Sequence, residues 1–270
     1  MIFVKLQGRL GNQMFQYAFA YSTAKKNNTN YYLIESEFHF RYSLHYFKVR
    51  RFEKLLVKLA TSWYFRFNKK DECKEYDKNK TIYYDEIPIE NNVVYNGFFQ
   101  TDLFFREEKN RIKKIFEVKD HYKKKFLEKY NILLHGSKSI IVIHYRGGDY
   151  KNWGGINYTL PSIYYKKSLQ LISDYSKYKI VIVTDDIILA RSTFEIFLDA
   201  QYISDTEIND FQLLLYADKL IISNSTFAWW GAYLNYNNAE VFAPKYWLGF
   251  NEKKENPKGV MSVNWNWIDF

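Results

Sequence analysis

The chain has 270 residues, of which 47% are hydrophobic and 20% aromatic, and its formal net charge is +9. That length can bury a sizeable core and leaves room for more than one domain. Its single cysteine, Cys73, excludes a disulfide framework and a cysteine-rich metal site, and fits a reducing compartment. The basic charge favours an acidic partner such as a phosphate compound, a nucleic acid or an anionic membrane surface.

The first half of the chain predicts three strands, one long helix and two charged helices. The predicted strands are "MIFVKL", "YYLIE" and "NNVVYNGFF", and the long helix is "GNQMFQYAFAYSTAKK", whose apolar residues recur at helical spacing. Residues 48–70 are basic and aromatic. The charged helices end at the turn "LLHGSKS", residues 133–139. A domain boundary at this turn gives a first domain of residues 1–136 and a second of residues 137–270.

Strands and helices alternate through the second half. The predicted strands are "SIIVIHY", "KIVIVTDD", "AQYIS", "KLIIS" and, as the last strand, "AEVFAP", with helices between them. Apolar strands that alternate with helices predict an α/β fold with a parallel sheet covered on both faces. Ligands of such sheets bind beyond the carboxyl ends of the strands, where "HYRGGDY", "TDD" and "SNST" lie. We therefore expect these three polar clusters to form one site.

The cluster "HYRGGDY" has the residue types of a phosphate-binding turn. His144 and Arg146 are two residues apart, so they point the same way from an extended chain. Gly147 and Gly148 allow a sharp turn and the close approach of a ligand. An arginine suits a diphosphate because its planar guanidinium makes paired hydrogen bonds to phosphate oxygens. Asp149 could hold Arg146 in place or accept a proton. The alternative is an ordinary strand that ends in a charged turn.

The stretch "SNSTFAWWGA", residues 223–232, predicts the end of a strand, a polar turn and the start of a helix. Asn224 or Ser225 would cap that helix. The free N–H groups at its start, together with the hydroxyls of Ser225 and Thr226, would form an anion site. The alternative is a simple helix cap above a core of two tryptophans.

Two acidic residues end the strand "VIVTDD". A carboxylate at this position can accept hydrogen bonds from the N1–H and the 2-amino group of guanine, which distinguishes guanine from adenine. It can also cap the helix that follows. We assign Asp185 to the base and Asp186 to the cap.

The N-terminal stretch "LQGRLGNQMFQYA" places a glycine loop between a strand and a helix, and Glu35 ends the next strand. A nicotinamide dinucleotide site is disfavoured, because only Gly8 and Gly11 of the three expected glycines are present. Gly11, Asn12 and Gln13 remain candidates for a substrate-binding loop.

The sequence predicts no metal site. The five histidines show no metal-ligand spacing, and no D-x-D triplet occurs in the chain. The positive charge that a departing diphosphate needs would have to come from Arg146, a lysine and helix N-termini.

Five motifs in order resemble glycosyltransferase family 11, the α-1,2-fucosyltransferases. They are "GRLGNQMFQYA", "HYRGGDY", "VTDD", "SNSTFAWWGAYL" and "VFAPKYW", and the resemblance covers residues 8–247. It implies a GT-B-like architecture of two Rossmann-like domains with parallel sheets, with the donor site in the cleft on the C-terminal, GDP-sugar-binding domain. It also implies an acceptor-side N-terminal domain. The implied activity is an inverting, metal-independent transfer of L-fucose from GDP-fucose to a galactose-type hydroxyl, in α-1,2 linkage, with no cofactor.

The resemblance also carries residue roles. In related fucosyltransferases the residue matching Arg146 meets the donor pyrophosphate, that matching His144 lies near the nucleoside, and an acid like Asp185 contacts guanine. The residues implied in donor binding are His144, Arg146, Asp185, Ser223, Asn224, Ser225, Thr226 and Phe227. The two candidates for catalysis are Arg146 and Asp149.

The chain departs from the family pattern at three places. Gly147 stands where the family usually has a second arginine, so that arginine is dispensable, another cation replaces it, or the donor pocket differs. Ala217 replaces a usual cysteine. The segment "KNWGGIN", where related enzymes often offer a carboxylate, contains none, which leaves Asp149 as the nearest candidate for the general base.

Three other functions remain open at this point. A transferase for a different GDP-sugar, such as another 6-deoxyhexose, would keep the same nucleotide contacts. A non-catalytic module could bind the GDP-sugar or a glycan without turnover. Nucleic-acid binding would need cations and aromatic residues interleaved on an exposed face, and the phosphate motifs at strand ends favour a small ligand instead.

The predicted location is the cytoplasm. The N-terminal stretch lacks the features of a signal peptide, and no apolar run is long enough to cross a bilayer. Residues 48–70 carry eight basic residues against one acid, with Phe52, Leu56, Leu59 and Trp63 at helical spacing. Such a helix could touch the inner face of an anionic membrane, and the galactose-terminated acceptor could then be lipid-linked. A core helix with a solvated basic side is the alternative.

Overall fold

The computed structural model describes residues 1–35, 43–49 and 89–270, together with three short strands within residues 72–81. The chain divides into two compact units. The first comprises Met1–Lys119 and Pro257–Ser262, and the second comprises Asp120–Asn256 and Val263–Phe270. Apart from residues 48 and 49, the basic segment 48–70 lies outside the described residues.

The first unit contains a parallel sheet of four strands in the order β2-β1-β6-β3. Its elements are β1 (Ile2–Leu6), α1 (Leu10–Lys26), β2 (Tyr31–Glu35), β3 (Glu72–Lys74), β4 (Tyr76–Asp77), β5 (Lys80–Thr81), β6 (Val94–Asn96) and α2 (Lys109–Ile115). Strands β4 and β5 form a separate antiparallel pair. The three strands and the long helix predicted from the sequence are confirmed.

Helix α1 is buried on most of its surface, since it packs between the sheet and the loops that follow β6. The ring of Phe19 stacks on Phe99 with centroids 3.9 Å apart, and its edge-to-face contact with Tyr95 ties the helix to strand β6. Stacked and edge-to-face aromatic pairs contribute about 0.5–1.5 kcal/mol each beyond the area they bury. Aromatic residues thus pack together with aliphatic ones in the core of this unit.

The second unit contains a parallel sheet of six strands. Its elements are α3 (Asp120–Leu134), β7 (Ile140–Tyr145), α4 (Ser162–Gln170), β8 (Lys179–Thr184), α5 (Ile187–Phe194), β9 (Gln201–Ile203), α6 (Glu207–Leu215), β10 (Lys219–Ile221), α7 (Thr226–Tyr233), β11 (Glu240–Pro244) and β12 (Asn266–Ile268). All six residues of β7 are buried. That burial explains why the predicted strand has no polar face.

The strand order β12-β11-β10-β7-β8-β9 is the Rossmann order, because counting from β7 it becomes 6-5-4-1-2-3. The order reverses between β7 and β10. At such a point the connections leave in opposite directions, so a crevice opens beyond the carboxyl ends of the two strands. The predicted pattern of parallel α/β units is confirmed, and the switch point lies where "HYRGGDY" and "SNST" end their strands.

Both faces of this sheet are covered. Helices α4 and α5 pack on one face through Tyr164, Tyr165 and Phe194, which join the cluster formed by alternate residues of β7 and β8. Helices α6 and α7 cover the other face and pack closely together, since a Cβ at Gly231 would lie 2.6 Å from Leu214. The glycine at position 231 therefore sets the distance between these two helices.

Two features of the second unit differ from the predictions. Strand "AEVFAP" is not the last, because β12 extends the sheet beyond it. With three residues, β12 is too short to show a periodic pattern. The predicted boundary followed α3, whereas the compact units divide before that helix. Phe126 of α3 stacks on Tyr216 at 5.5 Å, and Tyr130 donates to Asp205 over 2.6 Å, so α3 packs within the second unit.

Among the described residues, no helix combines the length and the apolar character that crossing a membrane requires.

Candidate functional site

The three polar clusters of the second unit are in contact at the carboxyl edge of its sheet. His144 at the end of β7 shares a 2.8 Å hydrogen bond with the hydroxyl of Ser223, which follows β10. Arg146, which follows β7, makes a 2.8 Å ion pair with Asp185, which follows β8. These contacts join the strands on both sides of the switch point, where α/β sheets bind their ligands.

Arg146 is held by two carboxylates. One terminal nitrogen lies 2.8 Å from Asp185 Oδ2 and the other donates to Asp149 Oδ1 over 2.7 Å. The guanidinium carbon also lies 5.5 Å from the ring centre of Tyr150. Only 15% of the Arg146 side chain is exposed, against 48% for Asp149. A guanidinium has five N–H donors, so these two ion pairs leave donors for an anionic ligand.

The glycines after Arg146 are needed for close approach. The N–H of Gly147 donates to Asp185 Oδ1 over 2.9 Å, and a Cβ at Gly148 would lie 2.6 Å from Asp185 Oδ2. A Cβ at Gly147 would meet the end of the Leu189 side chain at 2.8 Å. A side chain at position 147, where the family usually has a second arginine, would collide with neighbouring side chains. The backbone N–H of Gly147 points toward the Asp185 carboxylate.

His144 is a neutral hydrogen-bonding group in this site. Burial lowers the pKa of His144 to about 3, against the opposing effect of the Asp185 charge. Its ring packs against Phe227 with centroids 5.6 Å apart, and Phe227 in turn contacts Phe211 at 5.3 Å. An uncharged imidazole offers a phosphate no positive charge, so this residue does not act as a cation in the site.

The two acids after β8 have different partners. Asp186 caps helix α5, because its Oδ1 accepts from the N–H of Leu189 over 2.9 Å, and the predicted cap is confirmed. This hydrogen bond, with the Lys151 ammonium 3.0 Å from Oδ2, holds the pKa of Asp186 below its usual value. Asp185 instead pairs with Arg146 and accepts hydrogen bonds from the N–H groups of Gly147 and Gly148. The Arg146 guanidinium and these two N–H groups occupy three of the about four lone-pair positions of a carboxylate, which leaves about one for a ligand.

Helix α7 begins without a side-chain cap. Ser225 occupies the N-cap position, but its hydroxyl makes no capping hydrogen bond. Asn224 is turned elsewhere, because its amide donates to the carbonyl of Tyr158 over 3.0 Å. The predicted cap by Asn224 or Ser225 is therefore wrong. Thr226 and Phe227 form the first turn and are partly exposed. A helix start whose N-cap side chain makes no capping hydrogen bond is an arrangement that favours an anionic ligand.

In the first unit, the predicted substrate loop lies at the start of α1. Gln13 is buried and engaged at both ends, since it donates to the carbonyl of Gly8 over 3.0 Å and accepts from the N–H of Ser43 over 2.9 Å. Gly11 is buried in the first helical turn, while Asn12 is partly exposed and accepts from Gln100 over 3.1 Å. Gln13 thus stabilises the loop through these two hydrogen bonds. Of the three predicted loop residues, Asn12 is the one that a ligand can reach.

One acidic residue near the site was missed by the sequence analysis. Asp210 lies in α6, where both of its oxygens accept from the N–H of Asp205, at 3.0 and 3.2 Å. Burial raises the pKa of Asp210 to about 7, and the carboxylates of Asp205 and Asp185 act in the same direction. Asp210 follows a three-residue strand with no recognisable motif, so only the packing of α6 reveals it.

A separate cavity of about 380 Å³ opens between α4 and α5. Its lining includes Tyr145, Lys166 and Thr193. Because successive residues of a strand point to opposite faces, Tyr145 faces this cavity while His144 faces α6 and α7. The cavity and the His144 cluster therefore lie on different faces of the sheet.

The two parallel α/β units, with the polar cluster at a Rossmann switch point, define an α/β protein of the GT-B-like glycosyltransferase class. The chain belongs to glycosyl transferase family 11, whose sequence profile matches residues 1–269. It is 24% identical to the O-antigen biosynthesis glycosyltransferase WbnK of Escherichia coli, over 93% of this chain and 96% of that protein. It is 27% identical to an Escherichia coli alpha-1,2-colitosyltransferase, over 92% of each chain.

Among solved structures, the fold is similar to that of NodZ alpha-1,6-fucosyltransferase co-crystallized with GDP. The TM-score is 0.53 and the sequence identity 13%, over 85% of this chain and 91% of that one. The structural likeness supports the GT-B-like fold, and the family match makes the protein a glycosyltransferase.

Proposed function

We propose that the protein transfers L-fucose from GDP-β-L-fucose to a galactose-type hydroxyl of a glycan acceptor, with inversion and in α-1,2 linkage. The observation that carries the proposal is that Arg146 and the uncapped start of α7 follow the neighbouring parallel strands β7 and β10, on either side of the switch point. An arginine and a helix N-terminus are groups that bind the phosphates of a nucleoside diphosphate. The family match and the relatives' names support a sugar as the transferred group.

The residue roles follow from the partners of Arg146. The acceptor oxygen attacks the anomeric carbon of the sugar from the side opposite GDP, the new C–O bond forms, and the bond to the β-phosphate oxygen breaks. Arg146 and the α7 start would stabilise the charge on departing GDP. His144 and Phe227 would lie beside the nucleoside, and Ser223, Asn224, Ser225 and Thr226 beside the phosphates.

The proton of the acceptor hydroxyl needs a base, and Asp149 is the candidate. Asp149 is half exposed and pairs with Arg146, whereas Asp185 is the more enclosed partner. A donor diphosphate would compete with Asp149 for the same guanidinium. We propose that donor binding displaces Asp149 and frees its carboxylate to accept the proton.

The first test is binding and turnover measured separately. Calorimetry with GDP is expected to detect binding, and radiolabelled GDP-fucose with a panel of β-galactosides is expected to yield a fucosylated product. Analysis of the product would then give the linkage. GDP binding without turnover of any GDP-sugar would support a non-catalytic module instead, and absence of GDP binding would contradict the proposal.

A second candidate donor has a specific observation in its favour. One of the relatives is named alpha-1,2-colitosyltransferase rather than fucosyltransferase. A different GDP-6-deoxyhexose contains the same nucleotide, so the roles proposed above for the residues beside the nucleoside and the phosphates would be unchanged. Parallel assays with GDP-fucose and with such alternatives, at equal concentrations, decide between the donors by their ratio of kcat/KM.

Contact with an anionic membrane is a further proposal that rests on the sequence of residues 48–70. It would bring a cytoplasmic enzyme to a lipid-linked acceptor. Each basic residue near an anionic surface contributes about 1 kcal/mol, and salt screens this attraction. We expect co-sedimentation with anionic liposomes that weakens as salt rises. Failure to co-sediment at low salt would remove the proposal.

A further inference from the structure

A short hairpin follows the Arg146 turn. Trp153 and Ile156 exchange two backbone hydrogen bonds, of 2.9 and 3.2 Å, across a two-residue turn. The turn consists of Gly154 and Gly155, with φ of +62° and +86°. Positive φ at both central positions is the type I′ geometry that matches the twist of paired strands, and it favours glycine. The tip of this hairpin is therefore a defined structure.

The base of the hairpin is tied to the turn that precedes α7. The N–H of Tyr158 donates to the carbonyl of Tyr150 over 2.8 Å, which closes the hairpin at its base. The Tyr150 hydroxyl donates to the carbonyl of Asn224 over 3.2 Å, and the Asn224 amide donates to the carbonyl of Tyr158 over 3.0 Å. The hairpin is thus fixed to the same turn that is proposed to border the donor phosphates.

Trp153 presents an exposed aromatic surface on this support. Its ring lies nearly parallel to that of Tyr150, at 5.7 Å and 15°, and Tyr158 contacts it edge-on at 5.5 Å. Half of the residue, 50%, remains exposed. Tyr150 is also the ring that lies 5.5 Å from the Arg146 guanidinium. A tryptophan held in place by two tyrosines, next to the candidate active site, offers a preformed surface for a flat ligand.

We propose that Trp153 is a stacking platform for the pyranose ring of the acceptor glycan. The face of an aromatic ring carries partial negative charge. It attracts the polarised C–H groups that a galactoside gathers on one side of its ring, while the sugar hydroxyls point away. This proposal rests on the proposed function, because it assumes that the donor binds at Arg146. Tyr150 contacts both Arg146 and Trp153, so Trp153 would lie next to the bound donor. It assigns the acceptor to the hairpin side of that site.

Direct binding tests the platform without any donor. In protein with isotope-labelled indole nitrogens, Trp153→Phe identifies the Trp153 signal by its disappearance. Titration with methyl β-lactoside, a galactose-terminated glycan, is expected to shift that signal and to leave those of buried Trp229 and Trp230 in place. A Trp153 signal that stays constant up to the solubility limit of the glycan overturns the proposal.

Kinetics supply the second readout. Trp153→Ala is expected to raise the KM for the galactoside about tenfold or more, as loss of a large aromatic contact would, and Trp153→Phe should recover most of it. The KM for GDP-fucose should change much less. Tyr175→Ala is the matched control, because Tyr175 is an exposed aromatic residue that precedes β8, at the opposite edge of the sheet.

The outcomes separate the platform from the proposed function. If wild type transfers no fucose but its Trp153 signal shifts with the glycan, the platform stands and the donor assignment fails. If Trp153→Ala raises the KM values for both substrates equally, Trp153 merely supports the Arg146 turn and the platform is overturned. Loss of liposome binding in Trp153→Ala, with acceptor kinetics unchanged, would overturn it in favour of membrane contact.

Discussion

Arg146 lies between Asp149, at 2.7 Å, and Asp185, at 2.8 Å, and its side chain is largely shielded from water. Two carboxylates around one guanidinium hold it in a single orientation before a ligand arrives. Such preorganisation is what makes a positive group effective at stabilising charge that develops in a transition state. Asp149 is more exposed than Asp185. We therefore expect substitutions of Arg146, Asp149 and Asp185 to have different effects on GDP binding and turnover.

Arg146→Ala is expected to lower kcat about a hundredfold or more, the scale on which removal of one transition-state donor acts. The fold should survive, because the side chain lies at the sheet edge and outside the hydrophobic clusters. Turnover of GDP-fucose and the circular dichroism spectrum measure the two effects. Arg146→Lys keeps the positive charge but loses the paired hydrogen-bond geometry, so its kcat should lie between those of the wild type and Arg146→Ala. Near wild-type turnover in a folded Arg146→Ala variant would falsify the role.

Asp149→Asn should separate binding from catalysis. The change removes the carboxylate that competes with the donor for Arg146, so GDP affinity should stay equal or increase. Turnover should drop about a hundredfold or more, the range attributed to general bases. Calorimetry with GDP and the single-turnover rate give the two values. Weaker GDP binding with an unchanged chemical rate would show that Asp149 only positions Arg146.

Asp185→Asn is expected to weaken GDP binding by about 1.5–3 kcal/mol, the range of hydrogen bonds to charged groups. Comparison with inosine diphosphate, which lacks the 2-amino group of guanine, locates the loss. Because Asp185 already receives Arg146 and the N–H of Gly147, we expect equal losses for the two nucleotides. A larger loss for GDP than for inosine diphosphate, which keeps the N1–H but lacks the 2-amino group, would instead place Asp185 on the guanine edge, as the sequence alone suggests. Unchanged affinity for both nucleotides would contradict either role.

At the scale of elements, the strands were the most predictable part of the structure. Runs such as "IIVIHY" are buried at every position and hydrophobic at all but His144, because helices cover both faces of the sheet. Strand β12 was not predictable, because three residues carry no period. The side-chain partners were also beyond the sequence: whether Asp185 meets Arg146 or a ligand depends on the register of β7 against β8.

Two helix starts at the sheet edge give a matched comparison. Helix α5 is capped by the Asp186 side chain, whereas α7 has Ser225 at its N-cap without a capping bond. Asp186→Ala should therefore lower the melting temperature, because it removes a cap and leaves a helical N–H without its acceptor. Ser225→Ala should leave the melting temperature nearly unchanged but weaken GDP binding. The prediction fails if Ser225→Ala destabilises the free protein as much as Asp186→Ala does.

At the scale of the whole molecule, the two units differ in how far the sequence describes them. The second unit alternates strand and helix, so its parallel sheet could be anticipated from the alternation, whereas its Rossmann strand order is visible only in the structure. In the first unit, β3 is separated from β2 by a long segment and pairs beside β6, a long-range arrangement that no local pattern encodes. The placement of α3 within the second unit likewise depends on its contacts with Tyr216 and Asp205.

The absence of a D-x-D triplet from the full sequence leads to a prediction for the intact enzyme. If Arg146 and the α7 start supply the positive charge for departing GDP, no divalent cation is needed in that role. We expect turnover of GDP-fucose to persist in excess EDTA and to change little when magnesium or manganese is added back. The test requires enzyme that was never exposed to added metal, with a manganese-dependent transferase as the positive control for chelation. Complete loss of turnover in EDTA, restored by either cation, would show that a metal carries the charge here assigned to Arg146.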